Sequence, residues 1–195
     1  MTRRAVVALL TPVSWAPPGV PLAAWRSALA EDVVDLLATL AQVEPAIAAV
    51  EADLPLAAAV AWPGMPVYEV PHASATRALV AADGYDQAAV LAIDAPDVPG
   101  LLVGKLLRPL STRPVAVAPA LDGTGLLGVA SRLPVPDWLP DVDLDSATVD
   151  AVRQAAPRPG LVAVAPGWRR LRGPAQLATL DPAVEGWENT RLLLS

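Results

Sequence analysis

The chain has 195 residues, the length of one domain, and 54% of them are hydrophobic against 17% charged, so it can bury a sizeable core and is not a disordered segment. Its net charge of -6 excludes the basic footprint of a general nucleic-acid binder. With no cysteine and one histidine, disulfide scaffolds, zinc ribbons, thiol catalysis and His-dependent triads are excluded.

Arg3-Arg4 followed by Ala5–Leu10 has the look of a twin-arginine export signal, but the apolar run is short and no small-residue cleavage site follows. It is read as the first strand. The uncharged stretch to Trp25 contains Pro12, Pro17, Pro18 and Pro21, which rules out a membrane helix there. A soluble, cytoplasmic protein is expected.

Further apolar runs follow at Leu56–Trp62, Ala88–Ile93, Val115–Pro119 and Leu161–Ala165. Each is apolar on both faces, as in strands of a parallel sheet covered by helices. Between them, Leu22, Trp25, Leu29, Val33, Leu36, Leu37 and Leu40 recur at helical spacing. Ser74 to Ala82 and Leu101 to Leu110 read as further helices. A fourth starts from a cap at Asp145 or Ser146 and runs to about Ala156, and a short fifth covers Pro174 to Leu180. The alternation predicts one α/β domain over residues 1–195, a three-layer sandwich with a mostly parallel, Rossmann-like sheet. Ligands of such sheets bind beyond the carboxyl ends of the strands, here Thr11–Gly19, Asp94–Pro99, Ala120–Gly125 and Pro166–Gly173.

Chemistry-bearing residues fall in those places. Asp94-Ala-Pro-Asp97-Val-Pro99 sets two carboxylates beyond a strand, suited either to a hard divalent cation with ligand phosphates or to a proline-stiffened helix-capping turn. Asp122-Gly123-Thr-Gly125 permits close backbone approach to a ligand or a tight turn. Asp141-Val-Asp143-Leu-Asp145 has the spacing of half a calcium loop but lacks its glycine and its terminal glutamate, so it reads as a solvated edge strand and helix cap. Trp168-Arg169-Arg170-Leu-Arg172 is the one basic cluster, a clamp for phosphate or carboxylate or else a surface loop or a partner for the acidic stretch. Trp168 offers a stacking surface for a base or a packing residue, and His72 reads as surface structure.

Three segments together carry a resemblance. Val90-Leu-Ala-Ile-Asp94-Ala-Pro-Asp97-Val-Pro99 resembles the "ligtDsPdLP" block of a largely uncharacterised bacterial glycosyltransferase-like family. Val117-Ala-Pro119-Ala-Leu-Asp122-Gly123-Thr-Gly-Leu-Leu-Gly128 is similar to its "lgPaxDGGyyLlGl", and Leu22 to Asp32 to its first helix, "aaxLyxaxlxDt". The family has the nucleotide-diphospho-sugar transferase (GT-A) fold and is related to the guanylyltransferases of molybdenum and deazaflavin cofactor synthesis. The resemblance implies a nucleotide site across the strand ends and a divalent metal, Mg²⁺ or Mn²⁺, held by aspartates. By it, Asp94 is a catalytic, metal- or phosphate-side carboxylate and Asp122 a catalytic one. Asp97, Asp122 and Gly123 line the sugar or acceptor side.

Two departures stand against that pattern. The family's first loop, "KxPxPGxvKTRL", keeps only Pro18-Gly19 here, without the Lys-Thr-Arg-Leu. Its later "DvDTpeDL" aligns with Arg170-Leu-Arg172-Gly-Pro174-Ala-Gln-Leu177, putting arginines where acidic ligands belong. One carboxylate beside two guanidiniums repels Mg²⁺, whereas Arg170 and Arg172 can hold phosphates directly. The expectation is a degenerate transferase-like protein that binds a nucleotide, nucleotide sugar or other phosphate-bearing ligand without ordinary metal-dependent turnover. An active, Arg-assisted glycosyl- or nucleotidyltransferase is the alternative. A non-catalytic assembly partner is a further one, its apolar composition permitting a homodimer.

Overall fold

The computed structural model describes residues 2–121 and 124–195. Its strands are β1 (Arg4–Leu9), β2 (Glu44–Ala49), β3 (Val67–Glu69), β4 (Gln87–Ala92), β5 (Val115–Pro119), β6 (Leu126–Arg132) and β7 (Val162–Val164). They form one seven-stranded sheet in the order β3-β2-β1-β4-β6-β5-β7. All pairings are parallel except those of β6, which runs antiparallel to both β4 and β5. The mostly parallel α/β sheet expected from the alternating pattern is present.

Helices cover both faces. α1 (Leu22–Thr39), α2 (Leu54–Val60) and α4 (Gly100–Leu107) pack on one face, against Val6, Ala8 and Leu91. α3 (Ala75–Ala81) and α5 (Val149–Ala155) pack on the other, against Val7, Leu9 and Val90. Successive residues of a strand point to opposite faces, so a strand covered on both sides must be apolar throughout. β4 is buried at every position.

The run Leu56–Trp62 is not a strand. It belongs to α2, and the second strand is Glu44–Ala49. Alanine favours helix, Pro55 sits in the first turn where its missing N–H costs nothing, and only Ala57 and Val60, three apart, are buried. β2 carries Pro45 near its start, ahead of the register with β3, which begins at Ile47 opposite Val67. α5 is capped by Thr148, whose hydroxyl accepts from the Ala151 N–H at 3.1 Å, and not by Asp145 or Ser146. The expected edge strand around Val142 and Leu144 is irregular chain, although both side chains are buried.

After the short α6 (Pro174–Leu177), the last helix, α7 (Glu188–Leu192), docks on α1 through Asp32. The Asp32 carboxylate is buried and accepts from the Asn189 N–H at 2.9 Å, the Asn189 amide at 3.0 Å and the Thr190 N–H at 2.8 Å. Burial pushes its carboxyl above the ordinary range, against the pull of those bonds. Nearby, Leu193 joins Trp25, Leu29, Leu171, Val13 and Trp15 in a small apolar cluster. No helix among the described residues is long and apolar enough to cross a membrane.

The Asp32→Ala variant is expected to lose about 2 kcal/mol in urea unfolding, because buried donors are left without an acceptor. It should also be cut faster by trypsin at Arg191, since α7 loses its tie to α1.

Candidate functional site at the strand carboxyl ends

The site begins two residues past β4, where Asp94 is buried beneath the chain that follows β7. That segment runs back along the strand ends. Ala120 bridges to Trp168, the Leu121 N–H donates to the Trp168 carbonyl at 3.1 Å, and the Leu171 N–H donates to the Asp94 carbonyl at 2.6 Å. A Cβ at Gly167 would lie 2.3 Å from the Pro119 carbonyl, so the return path needs glycine there.

This path delivers Arg170 into the protein. Its side chain is fully buried, and its donors are taken on every side. Nε donates to Asp94 Oδ1 at 2.5 Å. Nη1 donates to the Leu126 and Leu144 carbonyls at 3.1 and 2.9 Å, and Nη2 to Asp145 Oδ1 at 2.7 Å. Arg172 lies beside it, with Nε 3.3 Å from Asp94 Oδ2 and Nη2 2.9 Å from Asp145 Oδ1. Its Nη1 donates to the carbonyl and hydroxyl of Thr124 at 3.1 and 3.2 Å. Two carboxylates and two guanidiniums thus alternate in a formally neutral cluster.

Burial alone would lower the Arg170 guanidinium, but Asp94 and Asp145 more than offset it and hold it above its ordinary value. Burial pushes the Asp145 carboxyl up, and Asp94 and Asp143 add to the rise against the opposing pull of Arg170. The two shifts point opposite ways, one marking the pair as favourable and the other as costly. The geometry decides: Arg170 stays charged at any accessible pH. Asp145, whose side chain is 38% exposed, is the carboxylate poised to take up a proton.

A cavity of about 190 Å³ opens against this cluster. Its walls are the loop Pro12 to Trp15 after β1, together with Asp94, Asp145, Leu171 and Arg172. Trp15 stands edge-on to the buried Trp25, ring centres 6.1 Å apart. Among the described residues, the backbone N–H groups of Val13, Ser14 and Trp15 make no hydrogen bond within the chain.

The expected site residues separate in space. Asp94 and Arg172 line the cavity together, while Arg170 lies behind them and does not reach it. Asp97 is buried elsewhere: its carboxylate accepts from Trp168 Nε1 at 3.1 Å and pairs with Arg169. Arg169 also covers the Trp168 ring, 4.7 Å from its centre, so that ring does not stand free for a base. Asp122 and Gly123 lie outside the described residues. His72 is at the surface, paired with Asp141, which also accepts from Ser74 Oγ.

Asp145 is the participant that the motif pattern did not single out. It is the acidic stretch that partners the basic cluster, one of the two surface readings of those arginines. The signal for it is Gly125, at a φ of +73°, where a Cβ would lie 2.3 Å from the Leu144 carbonyl. That close approach presses the acidic stretch onto the strand end.

No protein-family model matches the chain, and no curated protein matches it. Solved structures do. A candidate nucleotide-diphospho-sugar transferase from Desulfovibrio desulfuricans G20 is 20% identical, with a TM-score of 0.63 over 98% of this chain and 95% of that one. The chain has the nucleotide-diphospho-sugar transferase fold. The 4-diphosphocytidyl-2C-methyl-D-erythritol synthase of Anaerococcus prevotii DSM 20548 is 10% identical, with a TM-score of 0.63 over 100% and 96% of the two chains. Glucosyl-3-phosphoglycerate synthase from Mycobacterium tuberculosis, solved with Mg²⁺ and uridine diphosphate, is 16% identical, with a TM-score of 0.57 over 99% and 78%. These identities carry the fold and not the activity.

A metal such as that Mg²⁺ needs carboxylate oxygens with lone pairs to give. Here both oxygens of Asp94 and one of Asp145 face guanidiniums, and no cluster of three acidic or histidine side chains that could hold a metal occurs among the described residues. The side chains present do not fit a divalent ion between Asp94 and Asp145.

Replacing Arg170 by Ala leaves Asp94 without its buried partner. A loss of about 3–5 kcal/mol is expected in urea unfolding at pH 7. Without the guanidinium the buried carboxyls bind protons more tightly folded than unfolded. The deficit should therefore shrink as pH falls from 7 toward about 4.

Proposed function

We propose that this chain uses its transferase-type cleft to bind a nucleotide, nucleotide sugar or other phosphate-bearing molecule without a resident divalent ion and without ordinary metal-dependent transfer. The carrying observation is the buried Arg170, bonded to both Asp94 and Asp145. It supplies permanently, from within the chain, the positive charge that a metal would otherwise bring between those carboxylates.

Arg172 is the member of the pair that reaches the cavity, and it is the group offered to a phosphate. Its bonds to Asp94 and Asp145 compete with that role. A phosphate that displaces Asp145 keeps the guanidinium paired, and the Asp145 carboxyl, already raised, is relieved by taking a proton. The uncommitted N–H groups of Val13, Ser14 and Trp15 add donors from the loop wall. This partly replaces the cationic loop missing after β1.

One observation favours a second reading, an active transferase assisted by arginine. Asp145 is a carboxyl on the cavity wall that burial pushes above its ordinary value, which favours a role in proton transfer. Turnover with any nucleotide sugar or triphosphate, lost in Asp145→Asn, establishes this reading over simple binding.

The test is thermal unfolding with a panel of nucleoside triphosphates and nucleotide sugars, with and without Mg²⁺ or Mn²⁺. A ligand at a hundred times its dissociation constant stabilises by about 2.7 kcal/mol, a shift of roughly 5–11 °C for a domain of this size. The expected shift is the same with and without metal and is lost in Arg172→Ala. A shift that requires metal, or no shift with any member of the panel, sinks the proposal.

A further inference from the structure

The opposite end of the sheet carries positive charge that the chain leaves unpaired. Two cavities of about 260 and 360 Å³ adjoin there, sharing Arg4, Gln42 and Val43 in their walls. The larger also takes in Arg108 and Ser111, and the smaller Arg3 and Glu44.

The two outer arginines differ in how they are held. Arg4 is anchored: its Nε donates at 2.9 Å to the side-chain oxygen of Gln87, which is itself buried and donates onward to the Leu110 carbonyl at 3.4 Å. Both terminal nitrogens of Arg4 are left without a partner among the described residues. Arg108 follows α4 and is exposed, and its guanidinium has no ion pair or hydrogen bond among the described residues. Lys105, Arg113 and Arg132 surround the same turn and form no ion pair among the described residues either. Arg132 Nε is spent on the Leu110 carbonyl at 2.5 Å.

The acids nearby are already engaged. Glu44 accepts from the Tyr85 hydroxyl at 2.6 Å and pairs with Arg3 at 3.5 Å, while Asp86 accepts from the Arg3 N–H at 2.7 Å. The turn between α1 and β2 contributes a further feature. Gln42 has a φ of +65°, in the left-handed region, and is the one residue other than glycine with a positive φ among those described. Such conformations cluster at ligand clamps. The N–H groups of Ala41 and Gln42 make no hydrogen bond within the described chain.

We infer that the groove between Arg4, Gln42 and Arg108 is a second binding site, for a phosphate-bearing anion, at the end of the sheet remote from Asp94. An anchored guanidinium, an unpaired one and free backbone donors in one concave wall are the donor set that a phosphoryl group takes, and the chain's own carboxylates do not compete for it. The inference is independent of the proposed function, because no residue of the groove lines the cavity at Arg172.

The experiment is calorimetric titration of inorganic phosphate and pyrophosphate into the full chain at constant ionic strength, with sodium chloride as the control. Saturable binding is expected, weakened at least about tenfold in Arg108→Ala and in Arg4→Met, and unchanged in Arg172→Ala. Arg108 is exposed and its replacement leaves the fold intact, so it carries the test if Arg4→Met unfolds. No saturable binding overturns the inference, as does binding that survives Arg108→Ala. Loss confined to Arg172→Ala also overturns it and places the anion at the other site. Co-sedimentation with phosphatidic acid vesicles, lost in Arg108→Ala, assigns the phosphate to a lipid headgroup. Titration without co-sedimentation assigns it to a soluble metabolite.

Discussion

Burying a guanidinium is tolerable only when each of its donors finds an acceptor and its charge finds a counter-charge. Arg170 meets both conditions by drawing four acceptors from three parts of the chain: Asp94 after β4, the carbonyl of Leu126 in β6, and the carbonyl of Leu144 with the carboxylate of Asp145 in the acidic stretch. The strand-end architecture depends on that satisfaction. Removing any one partner leaves a charge or a polar atom in a place water does not reach. The glycines at 125 and 167 are the steric counterpart, because they let the acidic stretch and the return segment come within reach of the arginine.

The same interaction sets the chemistry that the cleft can do. An open carboxylate pair concentrates negative potential and recruits a cation. A pair already bridged by two guanidiniums is neutral in sum and presents hydrogen-bond donors instead. The cleft wall beside it is built separately. Val13 and Trp15 pack in the cluster around Trp25 and Leu171, and Leu193 of the docked C-terminal segment closes that cluster from behind. The loop that walls the cavity is thus tied, through α1 and Asp32, to the far end of the sequence.

How much of this was legible depended on density of signal. β1, β4 and β5 stand out because both faces are covered and apolar residues fill them, and β7 stands out by Val162 and Val164 although it is the edge strand and Val164 is exposed. β2 and α2 exchange places in a reading by hydrophobicity because both are alanine-rich, and alanine is apolar without favouring a strand. β6 holds Gly128, Ala130 and Ser131, small residues whose place becomes clear only beside β4. A Cβ at Gly128 would lie 2.5 Å from the Val90 carbonyl. In the site, Asp94, Arg170 and Arg172 were visible as strand-end residues of the right type. Asp145 was visible only as part of an acidic stretch that could partner those arginines, because it sits at the end of an irregular segment whose path is fixed by the Leu144 carbonyl and the Leu126 N–H, not by any local period. Asp97 and Arg169 were visible too, but they pair with each other rather than with the cavity.

The distribution of charge gives the molecule a polarity that its net charge hides. At the carboxyl ends of the strands, arginines outnumber nothing: each faces a carboxylate of its own chain. At the amino ends, the cations around Arg108 face solvent. A phosphate approaching the first end must displace an internal carboxylate, and its binding is expected to couple to a proton taken up there. A phosphate approaching the second end displaces only water and counter-ions, so salt governs that binding far more than pH does. Salt dependence and pH dependence of phosphate binding therefore separate the two ends of one sheet.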